Sequence, residues 1–184
     1  MLVGHCECSG SRGNGVGVGA EPIRNDDLEI YEPRPSGDVY VIPDSREGWC
    51  DATRTLIDAY LLRGSTLPNF DYSAIRPAGS LIKGFGGIAR GPEPLKEFHK
   101  RIIRSMYLYL VDPNYDSVNL KADIFNAAGV CVVSGNVRRS AEILTGSIED
   151  STFLDLKNYS LNPDRADIGW MSNNSVNLDY PEDF

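Results

Sequence analysis

Apolar residues recur at helical spacing in three long stretches and cluster in short runs elsewhere, so the chain reads as mixed helices and strands. The first helix is predicted over "DSREGWCDATRTLIDAYLLRG" (44–64), where Trp49, Thr53, Leu56, Ile57, Tyr60 and Leu61 share a face. Asp44 or Ser45 can cap it, Glu47 suits its first turn, and Gly64 can end it. A second helix is predicted over roughly 93–110, with Pro92 or Pro94 in the first turn. Its buried stripe is Leu95, Phe98, Ile102, Met106 and Leu110. A third helix follows the turn "VDPNYDS", with Leu120, Ile124, Phe125, Ala128, Cys131 and Val132 at helical intervals. The run "CVV" therefore reads as a helix end, with Gly135 as its terminating glycine. "STFLDLKN" (151–158) predicts a further short helix.

Strands are predicted at "DVYVIP" (38–43), closed by Pro43, at "AEILTG" (141–146), and at "IGWMSNNSVNL" (168–178), which has a polar end. Residues 10–37 hold much of the Gly and Pro and read as loop around at most one short strand or hairpin. Residues 67–94 read mostly as connections, with "AIR" and "SLIKG" as short extended pieces. The alternation implies an α/β fold with parallel strands. No internal repeat is visible, and the end at "DYPEDF" without a closing element reads as that of a fragment.

Composition narrows the function classes. The 184 residues suffice for one domain with a proper core, and 41% hydrophobic and 24% charged residues are ordinary for a globular protein. A net charge of −8 argues against coating nucleic acid, which needs a basic excess. No run of about 18 apolar residues is present to span a membrane. "MLVGHCECSGSRG" lacks the charged start and apolar middle of a secretory signal, so a cytoplasmic location is expected. Cys6, Cys8, Cys50 and Cys131 are too scattered for a disulfide framework. "HCEC" (5–8) lacks a second downstream ligand pair for a metal, and a terminus outside the fold is the simpler reading. Cys50 and Cys131 both read as buried packing cysteines.

Three polar, glycine-bearing stretches carry the candidate chemistry. "GNGVGVG" (13–19) lets backbone N–H groups approach a phosphate or sugar, but matches no phosphate-loop pattern, and glycine content alone favours a plain flexible turn. In "KGFGGIARGP" (83–92), Lys83 and Arg90 bracket glycines ahead of a helix; this suits a triphosphate, and a crossover with solvated cations suits equally. "GNVRRS" (135–140) places Arg138 and Arg139 on a glycine-hinged loop, where they can contact phosphates or bases or stay solvated. His99 lies near Lys100 and Arg101 and is expected at the surface.

In order, "PDSREGW" (43–49), "IRPAGSLIKGFGGIARGPEPL" (75–95), "GNVRRSAEI" (135–143) and "WMSNNSV" (170–176) closely resemble the adenosylcobalamin-dependent ribonucleoside-triphosphate reductases. These are the class II ribonucleotide reductases of monomeric type. The likeness spans roughly residues 13–178, and residues 1–12 do not share it.

The resemblance implies an α/β barrel of ten strands, of which residues 13–184 would form part of the first half-barrel, with 38–66 as an insertion near the allosteric site. It implies that Gly135, Asn136, Val137, Arg138, Arg139 and Ser140 form the specificity loop between a deoxynucleoside triphosphate effector and the substrate base. Asp44, Arg46, Arg76 and Lys83 would frame the effector, and Gly15, Gly17, Asn173 and Asn174 would line the substrate. Implied beyond the chain are adenosylcobalamin, a ribonucleoside triphosphate substrate and a thioredoxin-like reductant, with no nucleic-acid or membrane partner. The family's Asn-x-Cys-x-Glu motif and C-terminal cysteine pair are absent, so no catalytic residue is assigned and this chain is not expected to complete the reaction alone. The rival reading is a non-catalytic nucleotide-binding module from a truncated or divergent reductase gene.

Overall fold

The computed structural model describes residues 14–22, 28–82, 87–134 and 140–177. Strand β1 (Asn14–Gly19), strand β6 (Ser140–Ser147) and strand β7 (Ser172–Asn177) form a parallel sheet in the order β1-β6-β7. Gly17 lies opposite Ile143, and Ile143 opposite Asn173. A second parallel pair joins β2 (Arg34–Val41) to β3 (Thr66–Asp71) through helix α1 (Arg46–Leu61). A short antiparallel hairpin, β4 (Leu81–Ile82) and β5 (Gly87–Ile88), precedes α2 (Glu93–Val111) and α3 (Ser117–Val133). Helix α4 (Ser151–Asp155) and two single turns of 3-10 helix connect β6 to β7. The α/β class with parallel strands is thus as expected. Among the described residues, no helix is long and apolar enough to cross a membrane.

Helix starts follow side-chain capping. Ser45 accepts a hydrogen bond from the Gly48 amide at 3.0 Å, and Asp116 accepts from Val118 and Asn119 at 2.9 and 3.0 Å. Asp150 caps α4 through Phe153 N–H at 3.1 Å. Helix α2 instead carries a proline in its first turn, where an amide would lack a helical partner.

Three apolar clusters hold these layers together. Val18 and Leu144 of the three-stranded sheet, with Ala20 just past β1, pack against Val118 and Ala122 of α3 and Phe153 of α4. Leu56 and Tyr60 of α1 meet Ile102 and Met106 of α2 and Leu120 of α3. Ile42, Ala52, Ile75 and Leu95 close the space between β2, α1 and α2. A fourth tie is polar: Arg165, only 7% exposed, reaches Asp123 and Asn119 on α3.

Several sequence expectations require correction. "GNGVGVG" is not a flexible turn: from Asn14 onward it is a strand, because β6 supplies a parallel partner that local glycine content does not reveal. The strand Thr66–Asp71 lies where connections were expected, since Pro68 argues against a central strand yet is tolerated in a two-stranded sheet. "AIR" is not a strand: Ala74 lies in a turn and Ile75 in a bend. Cys50 is exposed, not a packing residue, because it sits among Glu47, Asp51 and Arg54 on the polar side of α1. Leu110 is 38% exposed at the end of its stripe, and His99 is buried at 2% exposure instead of lying at the surface.

Candidate functional site

Alternation along the parallel strands gives the β1-β6-β7 sheet two different faces. Val18, Glu142, Leu144, Gly146 and Ser172 are buried beneath helices. A Cβ on Gly146 would fall 2.6 Å from the Phe153 ring, and one on Gly129 of α3 would fall 2.5 Å from Met171, so the helices sit tightly on this side. The opposite face exposes Gly17, Ala141, Ile143, Asn173 and Ser175. A Cβ on Gly17 would meet nothing within 4 Å. That face is small and polar except for Ile143, and it is not covered by any described helix.

The expected substrate-lining residues divide across this sheet. Gly15 pairs in register with Ala141, and Gly17 and Asn173 flank Ile143 on the open face. Asn174 lies one residue on, opposite Leu144, and its side-chain oxygen accepts a hydrogen bond from Ser172 at 3.0 Å. Of the expected effector frame, Arg76 donates to Asp44 at 2.7 Å in a partly exposed ion pair. Arg46 donates to Glu47 at 2.7 Å. Lys83 and the expected specificity-loop residues Gly135, Asn136, Val137, Arg138 and Arg139 lie outside the described residues, as do Cys6 and Cys8. Ser140, the residue that follows Arg139 in the sequence, opens the central strand β6 opposite Asn14.

His99 and Glu142 are buried, and both titrate away from their ordinary values. His99 joins three elements: its Nδ1 is 2.8 Å from the Tyr72 hydroxyl, and its Nε2 is 3.1 Å from Thr53 Oγ1. Burial pushes the imidazole down to about 4. Glu142, 5% exposed on the helix-covered face, is pushed up to about 7 by burial, with Lys157 opposing the shift. The signs differ. A depressed histidine contributes stability that is complete above about pH 6.5 and lost as pH falls toward 4, because the unfolded chain binds the proton first. A raised carboxyl contributes stability present at low pH and lost as pH rises through about 7. Substituting His99 by Gln is therefore expected to leave a stability deficit at pH 7 that narrows steadily toward pH 4, measured by urea unfolding across that range. A constant deficit would contradict the assignment of neutral, buried His99.

Sequence reasoning missed His99, Glu142 and the Arg165–Asp123 pair. One signal was available: Asn119, Asp123 and Asn126 recur at i, i+4 and i+7 within an otherwise apolar helix, and such a stripe needs buried partners.

The order of these elements matches known proteins. The family model for the insertion domain of B12-dependent ribonucleotide reductase matches residues 9–106, more than half the chain. The chain belongs to the B12-dependent ribonucleotide reductases. A probable adenosylcobalamin-dependent ribonucleoside-triphosphate reductase of Dictyostelium discoideum is 47% identical over 79% of this chain, which spans 19% of that relative. The adenosylcobalamin-dependent ribonucleoside-triphosphate reductase of Euglena gracilis is 41% identical over 91% of this chain, 24% of its own length. Among solved structures, a B12-dependent (class II) ribonucleotide reductase matches with a TM-score of 0.61 and 32% identity, covering 78% of this chain and 19% of that one. This member of the family thus spans about a fifth to a quarter of these relatives.

Neither His99 nor Cys131 is placed to ligate the cobalt of the cobalamin in this chain's relatives' names. Both ring nitrogens of His99 are engaged and the ring is buried, so it is not placed to ligate cobalt. Cys131 is half-buried at the end of α3, and burial pushes its thiol up to about 12. Among the described residues, no group of three His, Cys, Asp or Glu side chains is placed to hold a metal ion.

Proposed function

We propose that the complete protein containing this chain is an adenosylcobalamin-dependent ribonucleoside-triphosphate reductase, forming 2′-deoxyribonucleoside triphosphates for DNA synthesis. In this reading residues 135–140 form the specificity loop, and a deoxynucleoside triphosphate effector bound near Asp44, Arg46, Arg76 and Lys83 selects the base. The β1-β6-β7 sheet is part of the first half of a ten-stranded barrel, with its open face toward the substrate. A thioredoxin-like protein restores the reduced enzyme, which works as a cytoplasmic monomer.

The observation that carries this reading is the sheet order. It brings Gly17 and Asn173, far apart in sequence, to one small, uncovered face, and the strand between them begins at Ser140, where the two-arginine segment ends. A substrate on that face would be within reach of the segment entering β6. Base selection by an effector requires differential contacts in two states of one segment. Asn136, Arg138 and Arg139 offer amide and guanidinium groups suited to reading base edges.

Replacing Arg138 with alanine in the complete reductase is expected to change the relative turnover of at least one substrate pair about fivefold under a given effector. Radical formation, followed by the cobalamin absorbance change, should stay within about twofold of the parent, since the residue selects the base and does not start the chemistry. Unchanged selectivity under every effector would overturn the loop assignment.

A further inference from the structure

The hairpin β4–β5 places a cation against the helix end from which residues 135–139 depart. The Ala89 amide donates to Ser80 O at 2.8 Å, and the Gly79 amide donates back to Ala89 O at 2.9 Å. Gly91 follows with φ +76, and a Cβ there would lie 3.1 Å from the Ala78 amide nitrogen. Arg90 is thus held between two residues that are fixed against 78–80. Its Nε donates to Ser134 O at 3.1 Å, across 44 residues of sequence.

Ser134 is the C-cap of α3 and the last described residue before the loop. Its hydroxyl donates to Cys131 O at 2.8 Å, which leaves its own carbonyl oxygen as the acceptor facing Arg90. The last carbonyls of a helix lack helical partners and carry the negative end of its dipole, so a cation there is favourable. The final turn of α3 contains no basic residue. Arg90 supplies that cation from a different segment.

We propose that Arg90 is a positioning residue for substrate selection, holding the α3 carboxyl end in the geometry from which residues 135–139 leave toward β6. This rests on the reading of 135–139 as the specificity loop. The hairpin that carries Arg90 belongs to the same stretch as Arg76 and Lys83, assigned above to the effector frame. An effector that shifts this hairpin changes the Arg90–Ser134 contact, and with it the origin of the loop. The contact is therefore a physical link by which occupancy at one site biases a segment at the other.

The test compares variants of the complete reductase, using relative kcat/KM for two competing ribonucleoside triphosphates with and without a deoxynucleoside triphosphate. Arg90→Ala should reduce the effector-induced change in that ratio about fivefold, a loss within the usual range of site-to-site coupling. Its kcat without effector should stay within about twofold of the parent, a split that general loss of folding would not produce. Arg90→Lys, which restores a cation at the helix end, should recover most of the discrimination; no recovery would overturn the capping role. If Arg90→Ala does not fold, Arg90→Gln retains a long stem without charge and carries the same expectation. Arg138→Ala serves as the reference arm. Altered selectivity in that variant, with parental discrimination in Arg90→Ala, overturns the proposal for Arg90 alone. Parental selectivity in Arg138→Ala instead overturns the loop reading on which it rests.

Discussion

Replacing Arg165 with alanine is expected to lower the unfolding free energy of the chain by about 3–5 kcal/mol, the cost of leaving one partner of a buried ion pair behind. Arg165 Nε donates to Asp123 Oδ1 at 2.7 Å, and one terminal nitrogen donates to Asp123 Oδ2 at 3.2 Å and to Asn119 Oδ1 at 2.6 Å. The other donates to Asn162 Oδ1 at 2.9 Å. The Tyr115 hydroxyl completes the set by donating to Asp123 Oδ2 at 2.7 Å. Both charged side chains are less than a tenth exposed, at 9% and 8%. Water therefore cannot replace the guanidinium when it is removed, and Asp123 keeps a buried charge with one remaining donor from Tyr115. The consequence reaches the site, because Arg165 ends the first 3-10 turn and the second, Gly169–Met171, leads straight into β7 and Asn173. The same segment is held from α2, where Arg101 donates to both carboxylate oxygens of Asp167 at 2.9 and 2.8 Å. Urea unfolding of the single variant, of Asp123→Leu and of the double variant Arg165→Met with Asp123→Leu separates the effects. The double variant should be more stable than either single, since a matched apolar pair does not strand a charge. A loss under about 1 kcal/mol for Arg165→Ala would mean that the pair is not buried as described.

Replacing Leu144 with alanine should cost about 2–5 kcal/mol, the range for a large-to-small change in a core that cannot collapse around the gap. Leu144 is fully buried on the central strand of the three-stranded sheet. It contributes to a cluster with Val18 and Ala20, with Val118 and Ala122 of α3, and with Phe153 and Leu156 after β6. Its main-chain neighbours in register are Val18 on one side and Asn174 on the other. The helices cannot settle into the space freely, because Gly146 on the same face is already against the Phe153 ring. The open face of the sheet is supported from beneath by this residue, so the variant should also show faster amide hydrogen exchange in β1 and β7 than the parent. Leu144→Ile, close in volume, should cost under about 1.5 kcal/mol. Equal losses for the two substitutions would contradict a packing origin.

Much of the local architecture was legible in advance. Ser45 and the proline of the second helix start marked helices whose apolar stripes held except at Leu110, and "CVV" was correctly read as helix rather than strand because Cys131 and Val132 continued a spacing begun at Leu120. The ordered motifs led to the right family. What was not legible depended on partners distant in sequence. The strand at "NGVGVG" exists only because β6 lies beside it, and the strand through Pro68 only because the parallel pair tolerates a missing amide donor there. His99 has charged neighbours in the sequence, yet helical rotation turns it inward toward Tyr72 and Thr53.

The sequence by itself determined where the helices begin, which faces they bury and which reductase family the chain joins, because caps, periodicity and motif order are properties of neighbouring residues. Only the tertiary structure decided which face of the sheet stays open and that Asn173 and Asn174 point to opposite sides of it. It alone placed Arg90 at the end of α3 and buried Arg165 against Asp123. Those outcomes depend on pairing register and on contacts across tens of residues, where burial and charge act through space and no local pattern records them.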